Sequence, residues 1–444
     1  MKDAPTPGRS SDILVIGGGP AGSTVAAFLR EEGWQVTLLE KDQHPRFHIG
    51  ESLLPMNLEI FDRLGISDKV KEIGIVKHGA EFNHQQDSDK RKTFFFAKAL
   101  NKQAPKHAYQ VRRSEFDHLL LKNAANKGVK VYEGVKVTDV AFHEDKFVIT
   151  TTKDEQGKTR LWKSSFIVDA TGRDTFLSRK FRHKEKHPHH SAAAIFSHFE
   201  GVERRPGKDE GNISLYWFDH GWFWMIPLKD GQMSVGAVCY PEYLKTRDGS
   251  LEDFFWQTMK LCPPLYARME QATMVRKPQA TGNYSYLSSQ IYGTNYLLVG
   301  DAFAFVDPVF SSGVYIAMSG AERAAKAITT GLRNPEKMEQ EMKDYERYVR
   351  KGIKTFSWFI YRFNSPSIRK LFMNPRNDFH IQEAIISVLA GDVYEDTPIH
   401  KPLRVFKAAY YLFFVKTLLP SWKSYRRRLR NIRVSFAGGT TEQD

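Results

Sequence analysis

Ile13-Leu14-Val15-Ile16-Gly17-Gly18-Gly19-Pro20-Ala21-Gly22 decides the fold of this chain. Four apolar residues in a row read as a buried strand, and the G-x-G-x-x-G that follows reads as a turn into a helix. Gly17 permits the tight turn, Gly19 lets a pyrophosphate approach the backbone, and Gly22 lets the helix lie close to the sheet. The helix start offers free N–H groups and about half a positive charge to phosphate oxygens. A second apolar strand, Leu38-Leu39, ends in Glu40, whose carboxylate is placed to accept hydrogen bonds from ribose hydroxyls. Strand, glycine turn, helix and acid together predict dinucleotide binding, where the glycines alone would be an ordinary turn.

Working outward, three later segments point to FAD rather than NAD. Gly300-Asp301-Ala302 follows an apolar strand and precedes Pro308 and a helix, so the aspartate can reach a ribityl chain. Asp169-Ala170-Thr171-Gly172-Arg173 also ends a strand and marks the return of the chain to the cofactor sheet. Arg113 stands near the start of a helix, suited to a phosphate or the ribityl region. In this order the segments resemble the flavoprotein monooxygenase superfamily with the hydroxybenzoate-hydroxylase fold, over residues 11–330. In that superfamily the residues matching Glu40, Arg113 and Asp301 bind FAD. The candidate cofactor set on this resemblance is Gly17, Gly19, Ala21, Gly22, Glu40, Lys41, Arg46, Ser52, Arg113, Asp301, Pro308 and Gly313.

The remaining pattern predicts an α/β protein. Its Rossmann-like FAD-binding domain is discontinuous, over residues 1–76, 108–180 and 291–330. A β-sheet substrate domain is inserted over 77–107 and 181–290. A helical C-terminal region spans 331–435, and 436–444 is a disordered tail. Residues 45–76 are expected to be mostly helical. With 444 residues, 41% of them hydrophobic and 26% charged, the composition is that of a globular protein. Cys239 and Cys262 make neither a disulfide framework nor a zinc site. The apolar run Ala408 to Val415 is too short to span a membrane and is followed by Lys416. No secretory leader is visible, so a cytoplasmic location is expected. The net charge of +14 favours acidic partners, and no nucleic-acid motif accompanies it. His183, His187, His189 and His190 read as a solvated basic connector, and no metal is expected.

Three motifs narrow the chemistry. Gly221-Trp222-Phe223-Trp224-Met225-Ile226-Pro227 places two indoles on one strand face. Phe305-Val306-Asp307-Pro308-Val309-Phe310-Ser311-Ser312-Gly313 stands at a helix start. Val76-Lys77-His78-Gly79-Ala80 carries a lone lysine. Taken singly they are core tryptophans, a capped helix and a turn residue. Together with Gly50-Glu51-Ser52-Leu53-Leu54-Pro55 they resemble the flavin-dependent halogenases, and the last part of the chain, with Ala390-Gly391-Asp392-Val393-Tyr394, is similar to those acting on carrier-tethered pyrrole.

The resemblance implies an FADH2-dependent oxidoreductase of secondary metabolism and antibiotic biosynthesis. Oxygen and chloride or bromide give hypohalous acid by way of a flavin hydroperoxide, and an electron-rich pyrrole or phenol is halogenated. Lys77 is the implied catalytic residue. Trp222, Trp224, Pro227 and Phe305 are the implied wall between flavin and substrate, and the N–H groups of Ser312 and Gly313 the implied halide seat. An ammonium at Lys77 can hydrogen-bond hypohalous acid, and a neutral amine can form a chloramine; burial favours the neutral form. Tryptophan halogenases carry a glutamate where this chain has Phe310, which argues against free tryptophan as substrate. With no second G-x-G-x-x-G for a nicotinamide, a partner flavin reductase is expected. The aromatic substrate is either free or borne on an acidic carrier protein, and the protein is a monomer or homodimer. An aromatic-ring monooxygenase and an alkene reductase of the geranylgeranyl-reductase type are the competing activities. The basic and aromatic segment Phe406 to Arg433 either packs its apolar face inward with its arginines in water, or meets an anionic membrane or an acidic carrier.

Overall fold

The computed structural model describes residues 9–437, apart from 145–146, 187–190, 283–284, 306, 376, 395–396 and 417. His187, His189, His190, Val306 and the tail over 438–444 therefore lie outside the described residues.

Two eight-stranded sheets organise the molecule. In the first, Arg9–Ile16 lies at the centre, flanked in parallel by Thr159–Asp169 and Val36–Leu39. Lys130–Tyr132 and Tyr296–Leu298 extend it on either side, again in parallel. Strands buried on both faces need continuous apolar runs, and Ile13 to Ile16 supply one. The helix Pro20–Glu31 covers one face, with Ala21, Val25, Ala26 and Leu29 buried. It packs against Gly313–Arg333, a 21-residue helix with an alanine-rich inner side. Small residues there let the two backbones approach closely.

The second sheet runs in the order Thr273–Met274, Ala193–Glu200, Met233–Cys239, Gly221–Pro227, Ile213–Phe218, Gly79–Asn83, Arg91–Phe95. It is antiparallel except where Ile213–Phe218 meets Gly79–Asn83. Its central strands are buried on both faces: the helix Leu251–Lys260 covers one, and the other turns toward the first sheet. Ile75–Lys77 belongs to neither sheet; it pairs with Ala108–Gln110 in a two-stranded ribbon between them.

Residues 45–76 are less helical than their periodicity predicts. Only Asn57–Leu64 and Ser67–Ile73 are α-helical. The preceding stretch spends its backbone on other segments. Leu53 N–H donates to the Tyr109 carbonyl, Val111 N–H to that of Glu51, and Met56 N–H to that of Ala390. A segment tied outward in this way cannot close its own helical ladder.

The C-terminal part is helical, with Met338–Ile360, Pro366–Met373, Ile381–Ala390, His400–Lys416 and Leu418–Ala437. No described helix is long and apolar enough to cross a membrane. The last helix departs from the simpler expectation at two of its arginines. Arg427 donates to the Asp219 carbonyl and pairs with Glu242, and Arg428 donates to the Tyr361 carbonyl at 2.7 Å. These two hold the helix to the body instead of standing in water.

Candidate functional site

A cavity of about 910 Å³ opens where the carboxyl ends of the first sheet face the second. In open α/β sheets ligands bind at that edge. The glycine loop forms its floor. Gly17 has φ +104°, and a Cβ there would lie 2.4 Å from the Ala170 carbonyl oxygen. A Cβ on Gly22 would lie 1.8 Å from the Gly17 carbonyl oxygen, so Gly22 serves packing and does not itself line the cavity. Gly19 differs from both: its Cβ would project into the cavity, 3.7 Å from one Arg46 nitrogen and otherwise clear. The loop thus leaves bare backbone facing open space under a guanidinium, which suits a pyrophosphate.

Glu40 is buried, and its two oxygens accept from Gly18 N–H at 2.5 Å and Asp42 N–H at 2.9 Å. The carboxylate still lines the cavity, with lone pairs left to accept further hydrogen bonds. Arg113 is less open than expected. Its guanidinium pairs with Asp117 through two bonds of 2.7 and 3.0 Å, and donates to the Ile49 carbonyl at 2.9 Å. Asp301 faces the cavity, and burial pushes its carboxyl up to about 6 despite the Arg113 and Arg173 charges nearby. A hydroxyl-bearing ligand chain would relieve that desolvation. Asp169 does not line the cavity. It accepts from Thr171 N–H, Thr171 Oγ1 and Leu177 N–H, and so pins the turn beside the glycine loop.

Ser312 and Gly313 stand where the helix Gly313–Arg333 begins, and both line the cavity. Ser311 takes the left-handed conformation, φ +56°, in the turn that leads into the helix's first N–H groups. Those groups have no intrahelical acceptor. Ala21, Lys41, Arg46, Ser52, Phe305 and Pro308 also line the cavity. These donors, the bare glycine backbone and the buried acid fit a flavin dinucleotide.

The second sheet supplies the opposite wall. Trp222 and Trp224 lie on one face with ring centroids 5.9 Å apart, and both border the cavity. Trp224 lies flat on Gly236, where a Cβ would fall 2.2 Å from the indole, and its N–H donates to Ser234 Oγ at 3.2 Å. Phe363, from the C-terminal part, stands edge-on to Trp222 at 6.0 Å. Pro227 departs from the expected wall: it ends the strand against Met233 and lies off the cavity. Alternation along the strand explains this, because Trp222, Trp224 and Ile226 share the cavity face and Pro227 points the other way.

Lys77 is one of the most deeply buried polar residues, 1% exposed. It lies behind the cavity wall rather than in it. Its Nζ donates to Ser52 Oγ at 2.9 Å and to the Leu53 carbonyl at 3.0 Å, and sits 5.4 Å from the Phe96 ring centre. Ser52 borders the cavity, so one side chain separates the amine from it. Burial lowers the Lys77 pKa from 10.5 to about 7. Between those values the unfolded chain binds more protons than the folded one. The group therefore makes folding more favourable as pH rises through that window, by at most about 1.4 kcal/mol per pH unit. Below about 7 both states are protonated and the contribution is flat. Denaturant unfolding of the wild type against Lys77→Met from pH 7 to 10 is expected to show this slope as a growing difference in favour of the wild type; parallel curves would contradict it.

One buried pair escaped the sequence. His198 Nε2 lies 3.0 and 3.1 Å from the two carboxylate oxygens of Glu51, and both residues are buried. Glu51 precedes Ser52, so the pair anchors the segment that holds Lys77. The two residues are 147 positions apart, and no spacing rule joins them. Asp117, the partner of Arg113, was visible as a helical i,i+4 pair but had no signal marking it as part of the site. Among the described residues no group of three or more His, Cys, Asp or Glu is arranged to hold a metal.

Fold and cavity define an FAD-binding protein, and the FAD binding domain family matches residues 10–351. The chain is 31% identical over 407 residues to the 1H-pyrrole-2-carbonyl-[peptidyl-carrier protein] chlorinase of Pseudomonas fluorescens, covering 86% of this chain and 89% of that one. It is 32% identical over 367 residues to a tryptophan 2-halogenase of Chondromyces crocatus, covering 81% and 69%. A flavin-dependent halogenase of Armillaria mellea is longer: at 35% identity, 73% of this chain covers 66% of it. The solved structure of a myxobacterial chondrochloren halogenase superposes with a TM-score of 0.76 at 33% identity, covering 88% of this chain and 92% of that one. The chain belongs to the flavin-dependent halogenases, a family of FAD-dependent oxidoreductases.

Proposed function

We propose that this enzyme halogenates an electron-rich aromatic ring, a pyrrole or a phenol, with chloride or bromide, using flavin reduced by a separate reductase. Bound reduced FAD supplies the electrons with which oxygen and a halide ion yield hypohalous acid. The observation that carries the reading is Lys77: a buried amine separated from the flavin cavity by the one side chain of Ser52.

The residues divide the work. Gly17, Gly19, Arg46 and the start of the first helix seat the pyrophosphate, Glu40 the ribose, and Asp301 and Arg113 the ribityl region. The N–H groups of Ser312 and Gly313 hold the halide at a positive helix end. Trp222, Trp224 and Phe305 keep an aromatic substrate off the flavin, so a direct hydroxylation is blocked while hypohalous acid passes. Ser52 and Leu53 hold Lys77 by two hydrogen bonds, and its depressed pKa makes a neutral amine available near neutral pH. The amine lone pair takes the halogen from hypohalous acid, and the departing hydroxide takes the amine proton as water. The ring carbon then forms its bond to the halogen, the N–halogen pair returns to nitrogen, which takes up a proton, and the ring gives up its own proton, restoring the amine.

Two relatives named for carrier-bound pyrrole support a substrate tethered to an acidic carrier protein, which suits the +14 charge. Tryptophan is the competing substrate, because one relative bears that name. Against it, Phe310 packs with Phe359, Phe363 and Phe372 and leaves no carboxylate at that helix start. With reductase, NADH, FAD and halide, free and carrier-bound pyrroles and phenols are expected to gain halogen masses only when halide is present. A gain of one oxygen without halide would instead make the protein a hydroxylase.

A further inference from the structure

The corner where the last two helices meet carries a surface that the halogenation chemistry does not use. Its two helices, His400–Lys416 and Leu418–Ala437, are separated by a single residue. At the corner the apolar side chains stand outward. Leu412 and Val415 are each 67% exposed, Leu419 74% and Trp422 49%, with Leu418 and Tyr425 also open. A monomer rarely leaves so many large apolar groups together in water.

The charge around the corner is one-sided. Residues 400–437 contain ten Lys and Arg and no Asp or Glu. Arg427, Arg428 and Arg430 are committed to the body, through Glu242, the Asp219 carbonyl and the Tyr361 carbonyl. Lys416, Lys423 and Arg426 stay exposed beside the leucines, and Arg426 lies over the Trp422 ring at 5.9 Å.

We infer that this corner docks on an anionic lipid surface. Leucine, valine and tryptophan side chains at a helix turn can enter the headgroup–acyl boundary, while lysine and arginine keep their charges at the anionic headgroups. A second copy of the chain is a poor occupant, because a two-fold contact would set the same acid-free cationic segment against itself. An acidic protein would satisfy the charge, but side chains standing clear at a helix turn fit a fluid boundary better than a facing rigid surface.

The experiment is co-flotation of the full FAD-loaded chain with phosphatidylglycerol/phosphatidylcholine vesicles and with phosphatidylcholine vesicles alone. Binding is expected to the first and not the second, and to weaken with salt. Leu412→Glu with Leu419→Glu is expected to lower partitioning about tenfold or more, and Lys416→Glu with Lys423→Glu and Arg426→Glu to lower it and flatten its salt dependence. An unchanged flavin spectrum in each variant shows that the fold is intact. Absence of flotation with the anionic vesicles, or undiminished flotation of the leucine variant, overturns the proposal. So does a wild type that binds no vesicle but forms a dimer, or retains an acidic carrier protein, through the same leucines.

Discussion

Lys77→Ala is expected to bind FAD normally, to keep forming hypohalous acid, and to lose ring halogenation by about a hundredfold or more. The amine is buried, is held by Ser52 and Leu53, and lies outside the cavity that seats the flavin. Removing it leaves the glycine loop, Glu40 and Asp301 untouched, so oxidant formation continues. What is lost is the group that takes up the halogen. Two readouts separate these steps: hypohalous acid captured by a small dicarbonyl trap, and halogenated ring counted by mass. Because the neutral amine is the working form, wild-type ring halogenation should rise with pH through about 7, where burial places the Lys77 pKa. Lys77→Met, which preserves most of the buried volume, should behave like the alanine variant. Native ring halogenation in either one would remove Lys77 from the chemistry.

The second large effect separates two glycines three residues apart. Gly22→Ala places a methyl 1.8 Å from the Gly17 carbonyl oxygen, a distance no real contact tolerates. The helix must move off the loop, and overpacking of this kind costs about 1–3 kcal/mol or more. Gly22→Ala is therefore expected to melt earlier without any ligand and to bind FAD poorly. Gly19→Ala meets nothing nearer than Arg46 at 3.7 Å, and Gly19 has an ordinary φ of −72°. Its ligand-free melting should match the wild type, while its FAD affinity falls about tenfold or more, because the methyl occupies the approach to the pyrophosphate. Thermal unfolding without flavin and flavin fluorescence titration distinguish the two. Equal FAD affinity for Gly19→Ala and wild type would mean that the phosphates lie elsewhere.

What could be read from the sequence was what local chemistry encodes. The glycine loop announces itself because each glycine answers a steric demand within a few residues. The tryptophan strand was legible by alternation, which also places Pro227 on the far face. What stayed hidden depends on contacts across the chain. Glu51 and His198 meet only after the second sheet has formed. The helical expectation for 45–76 holds where Leu58, Ile60, Phe61 and Leu64 carry it, while the stretch from 45 to 56 gives its backbone to Tyr109, Val111 and Ala390. Arg427 and Arg428 look like part of a solvated face until Glu242, Asp219 and Tyr361 are brought beside them.

Phe363 lies beyond residue 351, where the FAD-domain match ends, and it braces Trp222 while also touching Trp217 and Phe310. The terminal helices are thus more than ballast on a flavin protein. Grafting them between relatives is a way to reshape the reaction chamber while the nucleotide seat stays fixed, and trimming them would leave a yellow protein with a loosened partition.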